Sequence, residues 1–371
     1  MRMGAMRVKE AGPQGGGAAG QIELLGGNPL SHAPLPPRSP AAPLPILDER
    51  ARGTKFIKLS VQSVLNSPAS THMGFWSINP YVGCEFGCTY CYARDTHRWA
   101  MERAGGRPSI LPPEEAFERE ILVKEEVAEV LARTLNPAKL AGHSLVIGTA
   151  TDPYQPAERQ FRLTRRILEV LGTYHGLSIG IITKSPLVTR DLDLLQALSK
   201  HNEVTVNISL ATADRRLARR LELRSPVPEA RLRALHRLTQ GGIYAGLLVA
   251  PIVPGVTDDW AGLARLMERA KEAGARYVVG SALRLGPAAR HRFLPHLERE
   301  FPQLAERYRR HYAGKDHVSQ SYQDALTRRL RLLQQAYGFQ IDEAGGRRRR
   351  QLEGRLPRKE TADSAEQAIL L

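Results

Sequence analysis

The sequence predicts an α/β fold: a partial (β/α)6 barrel with a C-terminal helical extension and disordered termini. Three observations carry this. Short β-branched apolar runs alternate with longer segments of helical periodicity through the middle of the chain. That alternation implies parallel strands joined by right-handed crossovers, and about six such units curl into an open barrel. Both ends lose the periodicity and are rich in small, Pro or basic residues.

In chain order, residues 1–50 read as a tail, because "GPQGGGAAGQ" and "APLPPRSPAAPLP" hold too little apolar material to offset the entropy of ordering. Patterned sequence begins at "TKFIKLSVQSVL", and residues 51–285 form the core barrel. "GFWSI" reads as the first strand, followed by "SLVIGT", "LSIGIIT", "VTVNIS", "IYAGLLVAPIV" and "RYVVGSAL". Between them, "SPLVTRDLDLLQALSK" opens a helix with Ser185 as N-cap and Pro186 at the first position. "SPVPEARLRALHRLTQGG" places Pro228 in a first turn and glycines at the end. "WAGLARLMERAKEAG" sets Trp260, Leu263, Ala264, Met267 and Ala270 on one face, and Gly274 stops it. Residues 286–340 are helical only, an extension packing on the barrel. Residues 341–371, with the Arg347–Arg350 run, read as a flexible basic tail.

The chain has 371 residues, 42% of them hydrophobic, enough for a sizeable core. No stretch reaches the roughly 18 uninterrupted apolar residues of a membrane span, and no secretory h-region opens the chain. An odd count of three cysteines argues against an extracellular disulfide framework, so a reducing cytoplasm is the expected compartment. The formal net charge of +15 suits attraction to nucleic acid or another polyanion. A GC-rich coding sequence gives the same arginine excess without such a partner, and charge alone does not separate the two.

The chemistry concentrates in "SINPYVGCEFGCTYCYARDTH", where Cys84, Cys88 and Cys91 are the three cysteines of the chain. Thiolates suit zinc, copper(I) or iron–sulfur clusters. A structural zinc site closes with four protein ligands, and His97 is the nearby fourth candidate at an unfamiliar spacing. A 4Fe-4S cluster on three thiolates leaves one iron open, which serves an enzyme that binds substrate or cofactor there. Unligated core thiols are the plainest alternative.

The Cys-x3-Cys-x2-Cys segment, with aromatic Tyr90 before the third cysteine, resembles the signature of the radical S-adenosylmethionine (SAM) superfamily. "TDPYQPAE", "IITKSPLVTRDLDLL", "LELRSPVPEARLRALHRL" and "VAPIVPGVTD" are similar to its spore photoproduct lyase-like subgroup, over roughly residues 55 to 285. The resemblance implies that Cys84, Cys88 and Cys91 hold the 4Fe-4S cluster and that SAM binds the open iron. Reductive cleavage of SAM to a 5′-deoxyadenosyl radical, which abstracts a substrate hydrogen, is the implied reaction. A flavodoxin or ferredoxin is the implied reducing partner, and a nucleic acid is a candidate substrate.

The same resemblance assigns residues at strand ends. Tyr90 packs near the adenine. Many members carry Gly-Gly-Glu after the second strand for the SAM ammonium, whereas this chain offers Thr149, Thr151 and Asp152; Asp152 followed by Pro153 also reads as a turn. Lys184 contacts the SAM carboxylate as a point charge. Ser209 supplies a polar contact, and Ala250 with Pro251 brings backbone near the adenine. Tyr92 and Tyr154 are candidates for substrate contact or hydrogen-atom relay, with pocket walls as the plain alternative. Glu158 and Arg159 bind substrate or open the next helix. Leu223 stands where the subgroup has proline, which leaves Glu222 and Arg224 a structural role. With all three thiols on a cluster, no thiol hydrogen donor and no cysteine-bound second cluster is available. The reading from a different class is a non-catalytic, zinc- or cluster-stabilised nucleic-acid-binding protein.

Overall fold

The computed structural model describes residues 46–49, 53–71, 73–103, 111–339 and 357–359. Six parallel strands form its main sheet: β1 (Trp76–Ile78), β2 (Ser144–Ile147), β3 (Ser178–Thr183), β4 (Glu203–Ser209), β5 (Tyr244–Ile252) and β6 (Val278–Ala282). Each pairs in parallel with the next in chain order. Sequential order with parallel pairing is the singly wound barrel pattern, and it brings every strand's C-terminal end to the same rim. The sheet stays open. Among the described residues β5 is the one strand beside β6, and an antiparallel strand, Leu65–Asn66, flanks β1. The architecture is therefore a partial, barrel-like sheet rather than a closed (β/α)6 barrel.

The strands alternate in burial, as in the pattern of β3, where every second residue is fully covered. One set (Ile179, Ile181, Val206, Ile208, Leu247) packs under the crossover helices on Ile167, Leu195, Leu235 and Leu266. The other set includes Ile182 and Leu248, which line a cavity at the C-terminal rim. The crossover from β1 to β2 holds the cysteine loop, helices α1 (Arg94–Arg103) and α2 (Pro113–Arg119), a strand at Glu120–Val123 and α3 (Val127–Thr134). Helix α4 (Leu163–Leu171) joins β2 to β3. The next crossover is not the single helix expected. Ser185 caps it, its hydroxyl accepting from Leu187 N at 3.3 Å, but Pro186–Asp191 is a 3-10 turn before α5 (Leu192–Ser199). Asp191 sits buried at the junction, held by Arg165 and Arg190, and that ion pairing fixes the break.

Helices α6 (Arg215–Leu221) and α7 (Pro228–Gln240) join β4 to β5, and α8 (Trp260–Glu272) joins β5 to β6. Leu263, Met267 and Ala270 are buried as the periodicity predicts, whereas Trp260, in the first turn, is 51% exposed. Gly274, at φ +76°, turns the chain out of α8 in the left-handed region. The expected C-terminal helices are α9 (Pro287–Glu300), α10 (Pro302–His311) and α11 (Gln320–Ala336).

Two terminal pieces differ from the expected tails. Ile46–Glu49 pairs antiparallel with Lys55–Lys58, in a small second sheet that also holds Glu120–Val123 and Tyr81–Val82. Arg358–Lys359 pairs antiparallel with Tyr174–His175, and the Lys359 ammonium stands 6.0 Å from the Tyr174 ring centroid. Backbone pairing gives these short segments partners that hydropathy does not reveal. Residues 1–45 and the Arg347–Arg350 run lie outside the described residues. No helix among the described residues is long and apolar enough to cross a membrane.

Candidate cofactor site

The cysteine loop is fastened on both sides before any side chain reaches the cavity. On entry, Tyr81 and Val82 pair antiparallel with Val123 and Leu122, and Cys84 N donates to Phe117 O at 2.8 Å. On exit, Cys88 bridges Glu222 across an antiparallel contact, and the amide and hydroxyl of Thr89 both donate to Leu221 O at 3.0 and 2.9 Å. Arg94 donates to Cys88 O at 2.7 Å, and Arg224 Nε donates to Glu85 O at 2.7 Å. Both guanidiniums also reach buried Glu118, with Arg292 as a third partner. Burial lifts the Glu118 pKa, but these arginines outweigh it and hold the carboxyl below its usual range.

Cys84, Cys88 and Cys91 line one cavity of about 520 Å3. Burial raises the pKa of all three thiols, Cys88 to about 12 with Lys184 opposing the shift. Left to themselves they are protonated and poor nucleophiles; a bound metal centre is what ionises such thiols. Among the described residues no three His, Cys, Asp or Glu side chains close on a point where a single ion would sit. A cubane asks for something different, three thiols that each reach a separate iron, and the donor set present, three cysteines lining one cavity, is of the kind such a group takes. His97 is not the fourth ligand the loop lacked. Its Nε2 pairs with Glu120 O at 2.8 Å, its ring meets Phe117 edge-on, and it does not line the cavity.

The strand ends complete the wall. Gly148, at φ +95°, turns the chain after β2 so tightly that a Cβ would lie 2.5 Å from Pro153 Cδ and 2.6 Å from Ile182 O. Thr149 follows, its hydroxyl accepting from Asn79 Nδ2 at 3.2 Å, while Ala150 N donates to Asn79 Oδ1 at 2.8 Å. The Thr151 hydroxyl donates to Gly83 O at 2.6 Å and accepts from Gln155, tying this loop to the cysteine loop. Asp152 accepts from Tyr154 N, from the Thr183 hydroxyl at 2.7 Å and from Lys184 N at 2.7 Å. It lines the cavity and ties β2 to β3, and burial raises its pKa. Lys184 Nζ donates to Ser209 Oγ at 2.8 Å, and Ser209 Oγ donates onward to Ala250 O at 3.2 Å. Burial works against the Lys184 charge, yet the Glu222 carboxylate keeps its pKa above the usual value.

Tyr90, Tyr92, Thr149, Thr151, Asp152, Lys184, Ser209 and Ala250 thus share one cavity with the three cysteines. Tyr92 is partly exposed there, its hydroxyl donating to Thr149 O. Tyr154 is the exception. It is wholly buried in the main core, 5.9 Å below the Arg190 guanidinium, and does not line the cavity. Its burial in that core, away from the cavity lining, does not fit a direct relay role. Glu158 is likewise structural, accepting from Tyr81 Oη at 2.6 Å, Arg190 at 2.9 Å and Thr164 N. Arg284, just past β6 in the core, and His317 and Gln323, from the C-terminal extension that sequence reading treated as packing, also line the cavity. Glu222, left a structural role by the sequence, forms a buried ion pair with Arg231.

Comparison with known proteins agrees with this geometry. The family model described as "Radical SAM superfamily" matches residues 78–267. An uncharacterized protein of Mycobacterium tuberculosis is 32% identical over 280 residues, covering 75% of this chain and 79% of its own length. An uncharacterized protein of Methanocaldococcus jannaschii is 29% identical over 204 residues, 55% of this chain and 70% of that one. Spore photoproduct lyase complexed with dinucleoside spore photoproduct superposes with a TM-score of 0.56 at 16% identity, covering 76% of this chain and 79% of that chain. A variant of that lyase with bound AdoMet and the same dinucleoside gives a TM-score of 0.54 at 15% identity. The chain belongs to the radical SAM superfamily, and its fold is that of spore photoproduct lyase-like proteins.

Proposed function

We propose that Cys84, Cys88 and Cys91 hold a 4Fe-4S cluster whose fourth iron takes SAM, and that the protein is a radical SAM enzyme. One observation carries the reading: the chain's three thiols line the same cavity wall as Lys184, Ser209, Thr149 and Asp152 at the strand ends. When bound, the pair supplies a 5′-deoxyadenosyl radical by reductive cleavage of SAM, for abstraction of a substrate hydrogen atom. The residues of the chain bind and orient. Lys184 presents an ammonium to a ligand carboxylate, held by its bond to Ser209. Asp152 offers a half-buried carboxylate to a ligand ammonium while bracing β2 against β3. Tyr90 offers a ring face for an adenine, and Ala250 backbone closes that side. Tyr92 stands at the exposed part of the cavity, where a substrate contacts it.

A nucleic acid or nucleotide is the proposed substrate class. The net charge of +15 supports it, as does the dinucleoside named in the complex of the lyase that shares the fold. A flavodoxin- or ferredoxin-type protein in a reducing cytoplasm is the proposed electron source. The test is anaerobic incubation of the reconstituted chain with SAM and dithionite. Formation of 5′-deoxyadenosine supports the reading, and its absence from a cluster-loaded chain refutes it.

A further inference from the structure

Glu222 touches both halves of the site, yet none of the roles above uses it. One carboxylate oxygen accepts from Tyr90 Oη and the other from Arg231, and all three side chains are buried. Lys184 Nζ stands 3.7 Å from the oxygen that Tyr90 holds, and 5.8 Å from the Tyr90 ring centroid. At 3.7 Å the carboxylate attracts the ammonium without occupying one of its donors. Ser209 takes one donor, and the remaining capacity lies at a cavity wall. The backbone of Glu222 meanwhile bridges that of Cys88, so the acid lies on the strip of chain that backs the cysteine loop.

The charges sharpen this arrangement. Partly buried Lys184 and buried Arg231 both face the Glu222 carboxylate, and Asp152 is a second acid lining the cavity beside Lys184. A purely structural ion pair would need Arg231 alone. Here the second oxygen is spent on the residue that precedes the third cysteine.

We propose that Glu222 is a positioning residue: from beside Cys88 it orients the Tyr90 ring and holds the Lys184 ammonium at the cavity wall, setting the SAM subsite relative to the cysteine loop. The inference rests on the cofactor reading above and adds a residue that neither cofactor need touch.

The test is equilibrium dialysis of SAM against the anaerobically reconstituted full chain, with iron measured on every sample. The variants are Glu222→Gln, Lys184→Ala, the two combined, and Tyr90→Phe. Iron content stays at the parent level, and Glu222→Gln weakens SAM binding on the order of ten-fold, as expected for loss of a buried charge contact. Adding Glu222→Gln to Lys184→Ala brings little loss beyond that of Lys184→Ala, because the acid acts largely through that lysine. Tyr90→Phe keeps the ring, loses the held hydroxyl and weakens binding by a smaller factor. Parent-like affinity in Glu222→Gln, or losses that multiply in the double variant, overturns the proposal. If Glu222→Gln folds poorly, parent-like affinity in Tyr90→Phe overturns it alone. A parent chain that takes up neither iron nor SAM overturns the cofactor reading itself, an outcome distinct from these.

Discussion

Tyr90 and Glu222 lie 132 positions apart in the chain and share a buried hydrogen bond. That contact joins the residue before the third cysteine to the segment after β4. The wall of thiols is consequently a product of the folded barrel and not of the short loop that carries the motif. Thr89 on Leu221 and Arg224 on Glu85 repeat the connection with backbone acceptors. Metal loading and folding are coupled wherever ligands are set by tertiary contacts.

Cys88→Ala is expected to abolish iron uptake while leaving the fold intact. The thiol is small and buried and meets Ser225 Oγ at 3.4 Å, so its loss removes a ligand and only a small part of the surrounding core. Iron analysis after reconstitution, with circular dichroism on the same sample, checks both halves.

Lys184→Ala is expected to keep the cluster and lose SAM affinity. A charged hydrogen bond to a ligand contributes about 1.5–3 kcal/mol, so binding weakens on the order of ten-fold or more. Iron content equal to the parent with an unchanged SAM dissociation constant would refute the assignment.

Asn79→Ala is expected to loosen the loop after β2. Asn79 holds Thr149 through Nδ2 and the Ala150 amide through Oδ1, and both partners are left unpaired in a buried setting. A cost of about 1–3 kcal/mol follows from unsatisfied buried groups. Denaturant unfolding measures it, and a loss below the error of that experiment would show that the loop holds without Asn79.

Lys124 gives a pH signature. Its ammonium donates to Asn79 O at 2.8 Å in a buried position, and burial pushes its pKa down to about 8. Unfolding restores the lysine to about 10.4, so the folded state binds fewer protons between these values. Stability therefore rises as pH increases from about 8 to about 10 and is lower below that window, by on the order of 3 kcal/mol. Lys124→Met should remove that rise from the unfolding free energy measured across the same range. A rise of the same size in the variant would assign it to other groups.

The six strands were legible because β-branched apolar runs between helical patterns leave few topologies, and each run, from "GFWSI" to "RYVVGSAL", lies where a strand was expected. The cysteine motif was read from its spacing and its family resemblance, and the strand-end residues were assigned by that resemblance; parallel order is why they meet at one rim. Contacts between distant segments were not. His97 looked like a ligand by proximity in sequence, yet the carbonyl of Glu120 holds its ring away from the cavity. Tyr154 follows Asp152 by two positions, but Pro153 and the turn at Gly148 send its ring into the core. Glu222 was left a structural role because Leu223 stands where the resembled subgroup has proline; its partners, Tyr90, Lys184 and Arg231, come from three different parts of the chain.

The central claim is a three-thiol cluster that leaves one iron for SAM. Iron and acid-labile sulfide measured on anaerobically purified chain test it most directly. The account predicts about four of each per chain, the content of a 4Fe-4S cluster. Stoichiometric zinc without sulfide would contradict it.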